Sequence, residues 1–212
     1  MKLYCFSRKR ARDFYSTWSN VPEDTTVISI AGTKDSQELY LKEEEKHWFP
    51  ESENVLNLNF DDIAQDELLY SGILFKGLTM EDASRAANFI VKSVVRGNDI
   101  YVNCRAGKSR SQGIVRFILD SFSDIEFELN PDNPPLTPNM DVVAKLKRAF
   151  YLEGLDVDYS LFKKFGSEIE KIGPMNYLYK GKTIQYSLEQ NQYFVNSVPV
   201  GNVFSYLQTS NG

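Results

Sequence analysis

The stretch that decides the fold is the run Cys104-Arg105-Ala106-Gly107-Lys108-Ser109-Arg110-Ser111. An apolar stretch, residues 99–103, precedes it, and a second apolar stretch that suits a helix, residues 113–119, follows it. This order predicts a strand, a tight loop and a helix. A loop of this kind directs several backbone N–H groups into one concavity, and the helix dipole adds partial positive charge there. The sequence therefore predicts an anion site at this turn.

The side chains of the run suit phosphate chemistry. A thiol at an anion site is stabilised as the thiolate, so Cys104 is predicted to be a nucleophile. Gly107 lets the backbone bend close to a ligand, and Arg110 can offer a planar fork to two phosphate oxygens. Ser109 and Ser111 supply hydroxyls at the start of the helix. Ser111 is placed to donate to the sulfur when the sulfur must leave.

The pattern of a cysteine, five residues, arginine and serine resembles the signature loop of the cysteine-dependent protein tyrosine phosphatases. Its Ser-Arg-Ser ending is most similar to the dual-specificity branch, and residues 55–63 resemble the strand and acid loop of small prokaryotic and phage-type members. The resemblance covers roughly residues 1–153. It implies a phosphomonoesterase that needs no metal or other cofactor and works through a cysteinyl-phosphate. The implied catalytic residues include Cys104, Arg110 and Ser111, and the implied phosphate-binding residues are Arg105, Ala106, Gly107, Lys108, Ser109 and Arg110.

The same chemistry needs a general acid, because a leaving oxygen departs faster when it is protonated. Asp62 is the first candidate, since it follows the apolar strand and aligns with the acid of the family pattern. Asp61 is the second candidate and Asp66 the third. The separation from Cys104 is longer than in the smallest family members, which predicts an insertion that begins at residues 65–70.

One position departs from the family pattern. Members usually have histidine immediately before the cysteine, whereas this chain has Asn103. The histidine orients the loop through hydrogen bonds, and the degree of thiolate activation here depends on how well Asn103 replaces it.

The loop is unusually basic, because it carries Arg105 and Lys108 in addition to Arg110. In this it is similar to family branches that act on phosphoinositides and on phosphatidylglycerophosphate. A polyphosphorylated lipid, a nucleotide or an RNA 5′ end therefore competes with a phosphoprotein as the predicted substrate. The alternative is that both side chains point to solvent and only raise the local potential.

Two other function classes share part of this pattern. A pseudophosphatase would keep the cradle to recognise a phosphorylated partner, and Asn103 supports that alternative. The presence of Cys104, Arg110 and Ser111 together favours catalysis, because a pure binder needs no thiol. A P-loop nucleotide-binding protein is excluded, because Val102 stands where that motif requires its first glycine.

Composition restricts the remaining possibilities. The chain has 212 residues, of which 42% are hydrophobic, so it can bury a core as one main domain with an appendage. Two cysteines make a disulfide framework improbable and favour a reducing compartment. A net charge of −5 disfavours a stable nucleic-acid complex. No apolar run has the length of a signal core or a membrane span, so the expected location is the cytoplasm, which is the host cytoplasm if a phage encodes the chain. The oligomeric state is left open.

Strands and helices alternate along residues 1–153. Residues 2–6 and 26–30 read as strands, with a helix over residues 8–18 between them, and residues 42–46 read as a solvated segment. Thr79 and Gly97 are predicted to begin and end a helix, and Thr137 and Gly154 another. The predicted fold class is α/β, with a central, mostly parallel sheet flanked by helices as in the dual-specificity phosphatases. The signature loop is expected at the carboxyl edge of a strand, where such sheets bind ligands.

The predicted catalytic domain spans residues 1–153, and residues 154–212 form a C-terminal helical and β appendage. A helix is predicted over residues 158–172, ended by Pro174. A small β-meander over residues 176–180, 183–187 and 192–195 follows, and then a short helix over 203–207. The appendage is predicted to pack on the sheet or to form a dimer contact, and the alternative is a substrate-recruiting module.

Two single residues remain. His47 is the only histidine, so no histidine-rich metal site can form, and it is predicted to be a surface or packing residue. Cys5 is predicted to be a core residue. The alternative for Cys5 is a disulfide with Cys104 that protects the thiolate.

Overall fold

The architecture was obtained as a computed structural model, which describes residues 1–33, 47–64, 66–68, 74–122, 127–129 and 137–209. The predicted solvated segment 42–46 and most of the predicted insertion lie outside these ranges. The chain divides into two compact units, Met1–Ala149 and Phe150–Gly212. None of the described helices is long and apolar enough to cross a bilayer.

The N-terminal unit is built on a parallel sheet. Its strands are β1 (Lys2–Ser7), β2 (Thr25–Ala31), β3 (Val55–Asn59), β4 (Glu67–Leu68), β5 (Leu74–Phe75), β6 (Asp99–Cys104) and β7 (Glu128–Leu129). Its helices are α1 (Arg8–Tyr15), α2 (Met80–Arg96), α3 (Arg110–Ser121) and α4 (Met140–Leu152), the last of which extends past residue 149. Five strands pair in the order β3-β2-β6-β1-β7, all in parallel, and β4 and β5 form a separate antiparallel pair.

The burial pattern shows that the sheet is covered on both faces. All seven residues of β2 are buried, which is the pattern of a parallel strand between two layers of helices. On the face that carries α1, the core includes Phe6, Tyr15 and Tyr101. The predicted α/β class, with a central parallel sheet flanked by helices, is therefore confirmed.

The helix boundaries follow their caps. The Thr79 side chain accepts a hydrogen bond from the backbone N–H of Asp82 at 3.0 Å, and α2 ends at Gly97 in the left-handed region with φ of 76°, as predicted. The prediction that α1 extends to residue 18 is wrong, because α1 ends at Tyr15. Directly after it, the hydroxyls of Ser16 and Thr17 donate to backbone carbonyls of the last turn at 2.7 and 2.9 Å, which competes with helix continuation.

The start of α4 also differs from the prediction. Asn139, not Thr137, caps the helix, because its Oδ1 accepts from the backbone N–H groups of Asp141 and Val142 at 3.0 and 3.3 Å. The Thr137 hydroxyl instead donates to the carbonyl of Lys108 in the signature loop, at 2.9 Å. The helix thus begins at Met140, three residues later than predicted. Thr137, in the preceding segment, binds the signature loop.

The C-terminal unit contains one antiparallel sheet and two helices. The elements are α5 (Leu155–Phe165), β8 (Ile169–Gly173), β9 (Asn176–Tyr179), β10 (Lys182–Ser187), β11 (Gln192–Val195), β12 (Val198–Val200) and α6 (Val203–Thr209). The strands pair in chain order, and their buried side chains form a core with Val157 and Leu161 of α5 and Leu207 of α6.

The predicted helix over residues 158–172 is wrong in its second half. Helix α5 ends at Phe165, Gly166 follows with φ of 56°, and residues 169–173 form strand β8. Ile169 is buried opposite Tyr179 of β9, so sheet pairing outweighs the local helical pattern. The meander consequently has five strands, two more than predicted. The domain boundary after residue 153 stays a prediction.

Candidate active site

The signature loop connects β6 to α3 at the carboxyl edge of the parallel sheet. Cys104 is the last residue of β6 and only 2% exposed, and α3 begins at Arg110. Gly107 has φ of 68°, and a Cβ atom there would lie 2.6 Å from the backbone nitrogen of Ser7. Only glycine fits at this point, because the loop turns in the left-handed region while in contact with the end of β1.

The predicted nucleophile lies beside the serine that is predicted to donate a hydrogen bond to its sulfur. Cys104 Sγ is 3.1 Å from Ser111 Oγ, and both residues are buried. Cys5 of β1 is buried as well, as predicted, and its thiol lies 3.3 Å from the same Ser111 oxygen. Both cysteines are free thiols.

Arg110 connects the signature loop to the acid loop. Its guanidinium is buried, and Nη1 donates to the carbonyl oxygen of Phe60 at 2.7 Å. Phe60 directly precedes the two candidate acids, so this contact holds their backbone near the start of α3.

Asp62 lies at the signature loop. Its Oδ1 accepts from the Ser109 hydroxyl at 2.7 Å and from Asn139 Nδ2 at 2.8 Å, and its side chain is exposed. These two bonds fix the carboxyl group at the mouth of the loop. Oδ2 has no hydrogen bond among the described residues.

Asp61 has a different environment. It is 4% exposed, and its carboxylate accepts from the backbone N–H and hydroxyl of Thr33, at 3.1 and 2.6 Å, and from the backbone N–H of Lys76, at 3.0 Å. Asp61 therefore joins the segment after β2 to the segment after β5. Asp62 thus contacts Ser109 of the signature loop, whereas Asp61 is bonded to Thr33 and Lys76.

The remaining predicted residues divide by exposure. Arg105, Ala106 and Lys108 are exposed on the loop, and Ser109 is half-buried. Asp66, the third acid candidate, accepts from the backbone N–H of Gly77 at 3.1 Å. That contact is not with the signature loop.

Two residues that support the loop, Gln112 and Asn139, were not predicted from the sequence. Gln112 is fully buried, and its Nε2 donates to the Gly107 carbonyl at 3.0 Å while its Oε1 accepts from the Thr137 backbone N–H. Asn139 binds Asp62 by its side chain and the Ser109 carbonyl by its backbone N–H, at 3.1 Å. The neighbouring Pro138 marks a helix start, but no sequence signal connects that start to a loop about 30 residues earlier.

Asn103 is fully buried under the loop. Its Oδ1 accepts from the hydroxyl of Tyr15 at 3.3 Å, and its Nδ2 has no hydrogen-bond partner within the described part of the chain. Burial raises the pKa of Tyr15 far above its ordinary value, so the phenol remains a donor. Asn103 is thus held by α1 through one bond.

His47 lies at the same sheet edge, outside the signature loop. Its Nδ1 is 2.9 Å from Ser29 Oγ of β2, and its Nε2 is 3.2 Å from Asn59 Oδ1 of β3. These contacts agree with the predicted packing role.

Comparison with known proteins gave a distant likeness to a solved structure. No family model and no curated protein matches the chain. A crystal structure of PTPMT1 in complex with PI(5)P is similar to it at 14% sequence identity, over 70% of this chain and 92% of that chain, with a TM-score of 0.35. A functional assignment therefore depends on the geometry of the loop.

Proposed function

We propose that this protein is a metal-independent phosphomonoesterase that works through a cysteinyl-phosphate intermediate. The observation that carries the proposal is that one short loop holds a buried Cys104 thiol and also binds the Asp62 carboxyl through Ser109. Nucleophile and acid come from segments far apart in the chain, and the signature loop that carries the nucleophile and binds the acid is the proposed phosphate cradle. That combination suits phosphoryl transfer to sulfur with protonation of the leaving group.

In the first step the Cys104 thiolate attacks phosphorus, and an S–P bond forms as the P–O bond to the leaving group breaks. Asp62 gives its proton to the leaving oxygen. The loop N–H groups and the Arg110 guanidinium bind the three non-bridging oxygens, whose charge is spread in the transition state. Arg110 reaches them from the buried position in which Phe60 holds it.

In the second step Asp62 removes a proton from water, and the resulting oxygen attacks phosphorus. The S–P bond breaks and inorganic phosphate forms. The electron pair of that bond returns to Cys104 as a thiolate. Ser111 Oγ, at 3.1 Å, donates a hydrogen bond to this thiolate and so makes sulfur a better leaving group.

The proposed substrate is a phosphoprotein or a highly anionic phosphorylated molecule such as a phospholipid, a nucleotide or an RNA 5′ end. Arg105 and Lys108 are exposed beside the cradle, which favours substrates with more than one phosphate.

A binding-only function is the second candidate, and Asn103 favours it. Asn103 Oδ1 accepts one bond, from Tyr15, and Nδ2 has no partner within the described residues. Asn103 therefore holds the loop less firmly than a residue with all its hydrogen bonds made. This pseudophosphatase would bind a phosphorylated partner and release no phosphate.

Phosphate release separates the two candidates. We would measure it with malachite green on phosphotyrosine peptides, phosphoinositides, nucleotides and triphosphorylated RNA. Cys104→Ser should reduce turnover by about 10³-fold or more and still bind vanadate through the intact loop. Activity of Cys104→Ser within tenfold of wild type would exclude the nucleophile assignment.

A matched pair of arginine variants tests the cradle. Arg110→Lys should lower kcat by about 100-fold, because an ammonium cannot bind two phosphate oxygens as a fork does. Arg116→Lys on the same helix is the control, since Arg116 is half-exposed and pairs with Asp120 at 2.8 Å. Equal losses in both variants would show a general effect on α3.

A further inference from the structure

Cys5 shares a hydrogen-bond partner with the proposed nucleophile. Its Sγ lies 3.3 Å from Ser111 Oγ, which lies 3.1 Å from Cys104 Sγ. Strands β1 and β6 pair with Cys5 opposite Val102, so the side chains of Cys5 and Cys104 project from the same face of the sheet. All three members of this row are at most 2% exposed.

The available protons determine the direction of these bonds. Burial is the main cause that raises the pKa of Cys5, to about 12, so Cys5 keeps its S–H proton at neutral pH. A serine hydroxyl donates one hydrogen bond and accepts others, whereas a thiolate only accepts. When Cys104 is a thiolate, the Ser111 proton must therefore point to it. The Ser111 oxygen then accepts from Cys5, for which the Gly107 carbonyl at 3.7 Å is a more distant acceptor.

We propose that Cys5 is a positioning residue whose S–H bond to Ser111 orients the serine hydroxyl toward Cys104. The inference rests on the proposed function, in which Ser111 stabilises the departing thiolate. A chain of hydrogen bonds in which each member donates in the same direction is strengthened by polarisation. Loss of the first donor should weaken the bond that Ser111 makes to sulfur, and it should not alter substrate binding.

Alanine and serine at position 5 form a matched pair, because they have nearly the same volume and differ by one hydroxyl donor. Cys5→Ala should lower kcat for an aryl phosphate about threefold with KM unchanged, as expected for one neutral hydrogen bond. Cys5→Ser should restore kcat to within about 1.5-fold of wild type, since its hydroxyl can donate to Ser111 in place of the thiol. Equal activity of Cys5→Ser and Cys5→Ala would overturn the proposal and assign the effect to packing.

A double-mutant cycle with Ser111→Ala tests the route of the effect. If Cys5 acts through Ser111, Cys5→Ala should change kcat by less than about 1.3-fold when Ser111 is already absent. A full threefold loss in that background would overturn the proposal.

A measurement that needs no substrate separates this inference from the proposed function. The rate at which iodoacetamide alkylates Cys104, followed by mass spectrometry at neutral pH, should fall about threefold in Cys5→Ala and recover in Cys5→Ser, because Ser111 also stabilises the attacking thiolate. That pattern would support the positioning role even in a protein that releases no phosphate. Unchanged alkylation in Cys5→Ala would contradict it.

Discussion

The carboxyl edge of the parallel sheet and the C-terminal unit each hold a key aspartate, but they do so over different sequence distances. At the sheet edge, Asp62 is bound by Ser109 and Asn139, which lie 47 and 77 positions away. In the C-terminal unit, Asp158 is bound by Lys171 and Tyr177, only 13 and 19 positions away. A parallel sheet brings distant segments together at one edge, whereas a meander pairs neighbours.

The difference shows what each unit depends on. At the sheet edge, the contacts that form the site join segments far apart in the chain. A substitution in one segment therefore affects residues of the site that lie in another. In the C-terminal unit, Asp158 is 4% exposed and its charge is balanced within one helix and two strands. Substitutions of edge residues that contact the signature loop should therefore change activity, and substitutions in the C-terminal unit should change local stability.

The largest expected effect is the difference in activity between variants of Asp62 and Asp61, the two adjacent acids of the sheet edge. Asp62→Asn should lower kcat/KM for an alkyl phosphate about 100-fold or more, and for p-nitrophenyl phosphate less than about tenfold, because only the poor leaving group needs protonation. Asp61→Asn is the matched control. It should lower the free energy of unfolding by about 2 kcal/mol through lost bonds to Thr33 and Lys76, and it should leave the leaving-group dependence unchanged. The reverse pattern would exchange the roles of the two residues.

The second effect concerns the ion pair between the buried Asp158 and the exposed Lys171 in the C-terminal unit. Asp158→Asn should destabilise that unit by about 2 kcal/mol, because Lys171 loses a partner at 2.5 Å and Tyr177 loses a charged acceptor. Glu168→Gln breaks an exposed pair with Lys180 and should leave the stability of this unit nearly unchanged.

Hydrogen exchange of the β8–β12 amides would measure this loss. Both tryptophans, Trp18 and Trp48, lie in the N-terminal unit, so their fluorescence reports on that unit separately. A loss in fluorescence-detected stability as large as the loss in β8–β12 would contradict the local character of this unit.

The third effect concerns the exposed charges of the signature loop. Replacement of Arg105 and Lys108 by alanine should lower kcat/KM for a multiply phosphorylated substrate about tenfold and affect a monophosphate ester much less. The difference should shrink as salt rises, since the attraction is screened. Neutralisation of Lys92 and Arg148, exposed on α2 and α4, is the control at equal net charge. An equal, salt-independent loss for both substrates would mean that Arg105 and Lys108 shape the loop and do not select the substrate.

The smallest effect should come from the single bond that holds Asn103. Tyr15→Phe removes the donor at 3.3 Å and should lower kcat about two- to threefold with KM unchanged. Tyr151→Phe, at a position 55% exposed on α4, should have no effect. A Tyr15→Phe enzyme with wild-type kcat would show that the loop does not depend on this contact.

The sequence by itself determined the parts of the molecule that are contiguous in the chain. Cys104, Gly107, Arg110 and Ser111 lie within one strand-loop-helix segment, whose apolar flanks and polar loop are readable in order. The same holds for α2, where a threonine cap and a terminal glycine bound an apolar face. Local periodicity carries this information because each element is built from neighbouring residues.

The tertiary structure alone decided which side chains meet. Asp61 and Asp62 are chemically identical neighbours, and the positions of Thr33, Lys76 and Ser109 give them different hydrogen-bond partners. Residues 169–172 have a pattern that also suits a helix, and pairing with β9 makes them a strand. In each case the deciding energy comes from hydrogen bonds and burial between separate elements, which the pattern of a single element does not contain.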